Sequence, residues 1–168
     1  WIIPDGVVSQ RVILYLHGGG FTMRSPYLHG RFISRFCRPT DALGLMPDYH
    51  LAPEYPFPAA FEDSLTSYQW LLQKGYRSEN IVVAGDSAGG ALALGLLLLL
   101  RMEGLSQPAC AVMLSPSLDP TLSGKSVQEN AEIDSMLSLE SIQIFMRAYI
   151  PHIDRNDPRV KLVDADLS

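Results

Sequence analysis

Cysteine is scarce in this chain. Its 168 residues hold two, Cys37 and Cys110, in no C-x-x-C pattern and no disulfide-like framework. The expectation is two buried thiols in a reducing, cytoplasmic compartment, with no metal site. Basic runs and aromatic-basic interleaving are also missing. With a net charge of -5, that argues against nucleic acid or an anionic membrane surface as partner. The longest apolar run, Ala91 to Leu100, is too short to span a bilayer and reads as a buried helix. Nothing at the start has the charged, apolar and cleavage regions of a signal peptide. The chain opens on Trp1 rather than Met, so a trimmed or partial chain is expected. Internal repeats and low-complexity stretches are absent. The oligomeric state is left open.

What is present is apolar residue, 47% of the total, enough to build the core of one domain. Val12 to Leu16 is a continuous apolar run ending in glycines, the look of a parallel strand buried on both faces. Leu28, Phe32 and Phe36 then recur at helical spacing up to Pro39. Leu43 to Met46 is a second strand, stopped by Pro47, and the Pro-rich stretch 51–58 is a loop. Phe61, Leu65, Tyr68 and Leu72 share one helical face, with Gly75 as the stop. Ile81 to Ala84 is a third strand, Ala88 to Glu103 a helix, and Ala109 to Leu114 a fourth strand. Such alternation predicts an α/β domain, a mostly parallel sheet with flanking helices and right-handed crossovers. Beyond Pro120 the rhythm breaks. Ile142, Met146, Tyr149 and Ile150 mark an amphipathic helix starting near Ser138, and no further strand follows.

Two glycine motifs interrupt this core sequence. Gly85-Asp86-Ser87-Ala88-Gly89 matches G-x-S-x-G between a strand and a helix, the context that motif needs. A nucleophile on so sharp a turn has a strained backbone, and glycines two residues to either side relieve the crowding. The helix behind it aims its N-terminal N–H groups, Ala88 first, at the reacting centre. The second motif, His17-Gly18-Gly19-Gly20, directly follows the first strand. HGGG-type loops there serve the oxyanion holes of lipases and esterases. A nucleotide site is disfavoured, because no G-x-G-x-x-G with a downstream acid and no G-K-[ST] occurs.

The stretches YLHGGGF, DYHLAPEYPFPAAFED and GDSAGG together resemble the hormone-sensitive-lipase-like branch of the α/β-hydrolases, over nearly the whole chain. The resemblance implies an α/β-hydrolase fold with Ser87 as nucleophile and Gly19, Gly20 and Ala88 as oxyanion-hole donors. His17, Gly18, Gly85, Asp86 and Gly89 support the two motifs. It further implies hydrolysis of short- to medium-chain esters through an acyl-enzyme, with no cofactor. Residues 123–152 resemble part of a cap, whose apolar helix would wall the acyl pocket. A non-catalytic small-molecule receptor on the same fold, or an amidase or lactone hydrolase, are the rival readings.

The rest of a triad is missing. Its usual chain order is Ser, then Asp or Glu, then His, yet His152 is the one histidine after Ser87. His152 as base and Asp119 as acid stay open as lesser alternatives. His17 is expected to tie down the glycine loop; His29 and His50 are expected to be structural. Asp86 should point away from Ser87, and Glu54 could brace the loop. The tail from Asp157 to Ser168 resembles the stretch just before the strand that carries the family's acid. Residues 1–168 are therefore expected to be one partial domain, an internal piece of a longer enzyme, missing C-terminal strands and N-terminal cap helices.

Overall fold

The computed structural model describes residues 1–167, so the last residue of the expected domain, Ser168, lies outside it. Four parallel strands form one sheet: β1 (Val12–Leu16), β2 (Leu43–Leu45), β3 (Ile81–Asp86) and β4 (Cys110–Leu114), in the order β2-β1-β3-β4. Helices α1 (Pro26–Cys37), α2 (Ala59–Gln73) and α3 (Ala88–Met102) connect them in turn. Two further helices follow β4, α4 (Lys125–Glu129) and α5 (Leu139–Tyr149). The Ser138 side chain caps α5 by accepting from the Ser141 N–H. The expected strands and helices are all present, with β3 running two residues longer than the apolar run suggested. Among the described residues no strand follows β4.

The period of two along the strands divides the core. Val12, Leu14 and Leu16 of β1 and Ile81 and Val83 of β3 face α2 and α3, and form the larger core with Phe61, Tyr68, Leu71, Leu92, Leu96 and Leu100. Ile13, Tyr15 and Ala84 face the opposite side, toward Ile33 and Cys37 of α1. That second side is only partly covered. Val112 and Leu114 of β4 remain 45% and 40% exposed.

One expectation is corrected here and one is refined. Cys37 is buried, but Cys110 is exposed, because β4 carries no helix over its outer face. The helical spacing of Leu28, Phe32 and Phe36 is right, yet it does not mark the buried stripe. Leu28 and Phe36 are exposed, while Ile33 and Cys37, four residues apart, are turned inward. The cause is close packing on Gly44 of β2. A β-carbon there would stand 3.1 Å from Cys37 Sγ and 3.2 Å from Ile33 Cγ2.

Candidate active site

β1 and β3 are neighbours in register, Leu16 opposite Gly85. The residues that follow each strand therefore leave the sheet side by side. The contact is close: a β-carbon on Gly89 would lie 1.9 Å from the Leu16 carbonyl oxygen, and one on Gly85 2.3 Å from the Gly89 carbonyl oxygen. Only glycine at these positions lets the start of α3 settle against the end of β1. The structure thus brings together His17, Gly18, Gly85, Asp86, Ser87, Ala88 and Gly89.

Ser87 stands between β3 and α3 with φ 50° and ψ -117°. A non-glycine residue in this region is strained by about 1–3 kcal/mol, and such strain persists where the surroundings over-determine it. Here they do. The Ser87 N–H donates to Leu114 O (2.9 Å), and its carbonyl accepts from Ser117 N (3.0 Å) and Ala91 N (3.2 Å). The turn is thereby tied to β4 and to the loop behind it. Ser87 is half-buried, so its side chain is not sealed into the core.

The glycine loop is held from below by Asp86. Its Oδ1 accepts from the Gly18 N–H (2.8 Å) and from the Tyr15 hydroxyl (2.6 Å), and lies 3.8 Å from His29 Nε2. Asp86 is accordingly engaged away from its neighbour, as expected. Burial, then the hydrogen bond to Asp86, push the Tyr15 phenol well above its ordinary value. Gly19 accepts at its carbonyl from the N–H groups of Thr22 and Met23, which shapes the turn at φ 122°. Among the described residues, the N–H groups of Gly19, Gly20 and Ala88 have no acceptor.

His17 does tie the loop down. Its Nδ1 donates to Gly18 O (2.7 Å), and the Tyr49 hydroxyl donates to the His17 carbonyl (2.6 Å) with its ring stacked on the imidazole at 4.2 Å. Burial pushes the His17 pKa down, against the opposing pull of that bond to Gly18. A buried, neutral imidazole so engaged is a brace. His29 belongs to the same cluster, stacked on His17 at 5.4 Å and bonded through Nδ1 to Ser25 O. His50 is paired with Asp63 at 2.7 Å, and His152 is exposed. Among the described residues no histidine nitrogen is hydrogen-bonded to Ser87.

The acidic alternatives separate in the same way. Asp119 accepts from the backbone N–H and the hydroxyl of both Thr121 and Ser123. Burial raises its pKa, but these four bonds outweigh it and hold the carboxyl down at about 2. Asp119 closes a turn after β4 instead of orienting a histidine. Glu54 is exposed and does not brace the loop; Asp86 and Tyr49 take that part. Sequence reasoning missed Tyr15 and Tyr49. Tyr49 lies inside the DYHLAPEYPF stretch, which is its available signal; Tyr15 has none, being one residue of an apolar strand.

No group of three or more His, Cys, Asp and Glu side chains among the described residues could hold a metal ion. No described helix is long and apolar enough to cross a membrane.

The family described as alpha/beta hydrolase fold matches residues 13–168. The chain is 35% identical over 160 residues to an esterase of Acinetobacter venetianus, covering 95% of this chain and 53% of that protein. It is 38% identical over 143 residues to the carboxylesterase/phospholipase LipF of Mycobacterium tuberculosis, covering 83% of this chain and 38% of that one. The crystal structure of an esterase from the bacterial hormone-sensitive lipase family superposes with a TM-score of 0.93 at 38% identity, over 98% of this chain and 55% of that chain. The chain spans about half the length of these relatives, or less.

Proposed function

The chain belongs to the alpha/beta-hydrolase fold family, and from that premise we propose that the whole protein hydrolyses carboxylic esters through Ser87. The observation that carries this reading is the strained Ser87 turn packed against a braced glycine loop. In the proposed reaction, Ser87 Oγ attacks the ester carbonyl carbon as its proton passes to a base. The oxyanion so formed accepts hydrogen bonds from the N–H groups of Gly19, Gly20 and Ala88. The C–O bond to the alcohol then breaks, and the alcohol leaves with a proton from the protonated base. Water attacks the acyl-serine, again through an oxyanion, and releases the acid and the free serine. His152 is exposed and Asp119 is held in its own turn, so neither is taken here as the base or its partner.

Residues 123–152 are taken as part of a cap, and short- to medium-chain uncharged esters as the substrates. The esterase names of the relatives support ester hydrolysis for them; the chain-length preference is our own extension. Two free cysteines, Cys37 and Cys110, favour a cytoplasmic location. The test is a fluorophosphonate probe on the whole protein, followed by peptide mapping. Label on Ser87, abolished by Ser87→Ala, is expected together with turnover of p-nitrophenyl butyrate. Label on another serine would refute the assignment. No label and no turnover would leave the receptor reading in possession of the same residues.

A further inference from the structure

α5 rests on the glycine loop through two aromatic rings. Phe145 and Tyr149 are four residues apart and so share one face of the helix. Gly20 has φ 61°, and a β-carbon built on it would stand 2.7 Å from Phe145 Cγ and 2.8 Å from Cδ2. The Phe145 ring therefore fills the space that a side chain of residue 20 would occupy. The next loop residue, Phe21, is also left-handed, at φ 60°, and its ring stacks on Tyr149 with centroids 3.7 Å apart and planes 3° from parallel. Tyr149 is in turn anchored, its carbonyl accepting from the Phe57 N–H at 2.8 Å, while the Phe21 carbonyl accepts from Ala52 N at 2.9 Å.

Gly20 needs such a support. Gly18 is pinned through its N–H by Asp86 and Gly19 through its carbonyl by Thr22 and Met23, but among the described residues Gly20 has no such backbone hydrogen bond. Left-handed glycine is also among the freest of backbone units. We propose that Phe145 is a positioning residue for this loop: its ring pins Gly20 from the α5 side and so fixes the direction of the N–H groups that receive the oxyanion. Phe145 then acts on the chemistry as well as on the shape of the pocket. This rests on the assignment of Gly19 and Gly20 as oxyanion donors.

The experiment uses the whole protein with Phe145→Ala, Phe145→Leu and, as control, Ile144→Ala. Ile144 neighbours Phe145 but is 55% exposed. For Phe145→Ala, kcat on p-nitrophenyl butyrate should fall by about 10- to 10²-fold, the scale of a displacement near 1 Å at a reacting centre. KM should change by no more than about threefold, and the rate of fluorophosphonate labelling should fall with kcat. Phe145→Leu, which keeps apolar bulk over Gly20, should recover part of the loss and remain folded even if the alanine variant does not. Ile144→Ala should behave as wild type. A Phe145→Leu or Phe145→Ala protein that is folded and has wild-type kcat overturns the proposal. So does a change confined to KM, which would make the ring a binding wall only. If the wild type itself neither labels at Ser87 nor turns over ester, the underlying esterase reading fails first and takes this proposal with it. An active wild type with unchanged variants fails the proposal alone.

Discussion

Replacing Asp86 by alanine should harm this protein more than its half-exposed position suggests. One carboxylate oxygen accepts two hydrogen bonds, from the Tyr15 hydroxyl at 2.6 Å and the Gly18 N–H at 2.8 Å. Tyr15 is 1% exposed and Gly18 is buried, so water cannot readily replace the lost acceptor. Hydrogen bonds to a charged group contribute about 1.5–3 kcal/mol each. The two share one oxygen and are not independent, and the Asp86 side chain is 32% exposed. A combined loss of about 2–4 kcal/mol is expected. Asp86→Asn keeps an acceptor in place and should cost about 1 kcal/mol. Tyr15→Phe removes one of the two bonds, so its effect should be smaller in the Asp86→Ala background than alone. Urea unfolding of wild type and these four variants, the double one included, measures all of this, and ester turnover reports on the glycine loop. An Asp86→Ala protein within 0.5 kcal/mol of wild type, on the scale of an ordinary surface change, would refute the bracing argument.

Gly89→Ala should be severe, because a β-carbon 1.9 Å from the Leu16 carbonyl oxygen meets backbone and cannot be relieved by a rotamer. Thermal unfolding should show a large loss, and Ser87 labelling should fall with it. Gly95→Ala is the contrasting case. Its β-carbon would meet the Phe61 ring at 1.8 Å, a side chain that can turn, so stability should fall with ester turnover retained. Asp119→Asn should leave ester turnover within a few-fold of wild type, whereas a catalytic acid would show a loss of orders of magnitude. The same variant carries a pH signature. The Asp119 carboxyl is depressed to about 2 in the folded protein, below the unfolded value of about 3.9. Its stabilisation is therefore present above pH ~4 and lost as pH falls through ~2, so wild type and variant should converge in stability over that window.

What the sequence revealed and what it hid follow a physical line. The Ser87 turn and the glycine loop each depend on residues within a few positions of one another, so their spacing can be read directly. Their bracing does not: Asp86 and Gly18 are 68 positions apart, and Tyr49 reaches His17 across 32. Periodicity marks α1, but not which of its residues are fully buried: Ile33 and Cys37 pack closely on Gly44, a residue of another element. The continuous apolar run 109–114 likewise marks β4, but such a run does not say whether a face is covered, and Cys110 is exposed for that reason. The support of Gly20 by Phe145 joins elements with no sequence relation at all.

The strand order bears on the candidate site. From β1 the chain moves through α1 to β2 on one flank of the sheet, then crosses back through α2 to β3 on the other. Right-handed crossovers in opposite directions put their helices on opposite faces. That is observed: α1 packs with Ile13 and Tyr15, while α2 and α3 pack with Val12, Leu14 and Leu16. The order reverses between β1 and β3, and such a switch point is where open α/β sheets generally place a binding crevice, beyond the C-terminal ends of the two strands. The two loops that border it are 17–20 and 86–89, which hold the two glycine motifs. Chain topology and local motif are independent arguments, one from the direction of crossovers and one from side-chain chemistry. They select the same few residues, and Ser87 lies where the two meet.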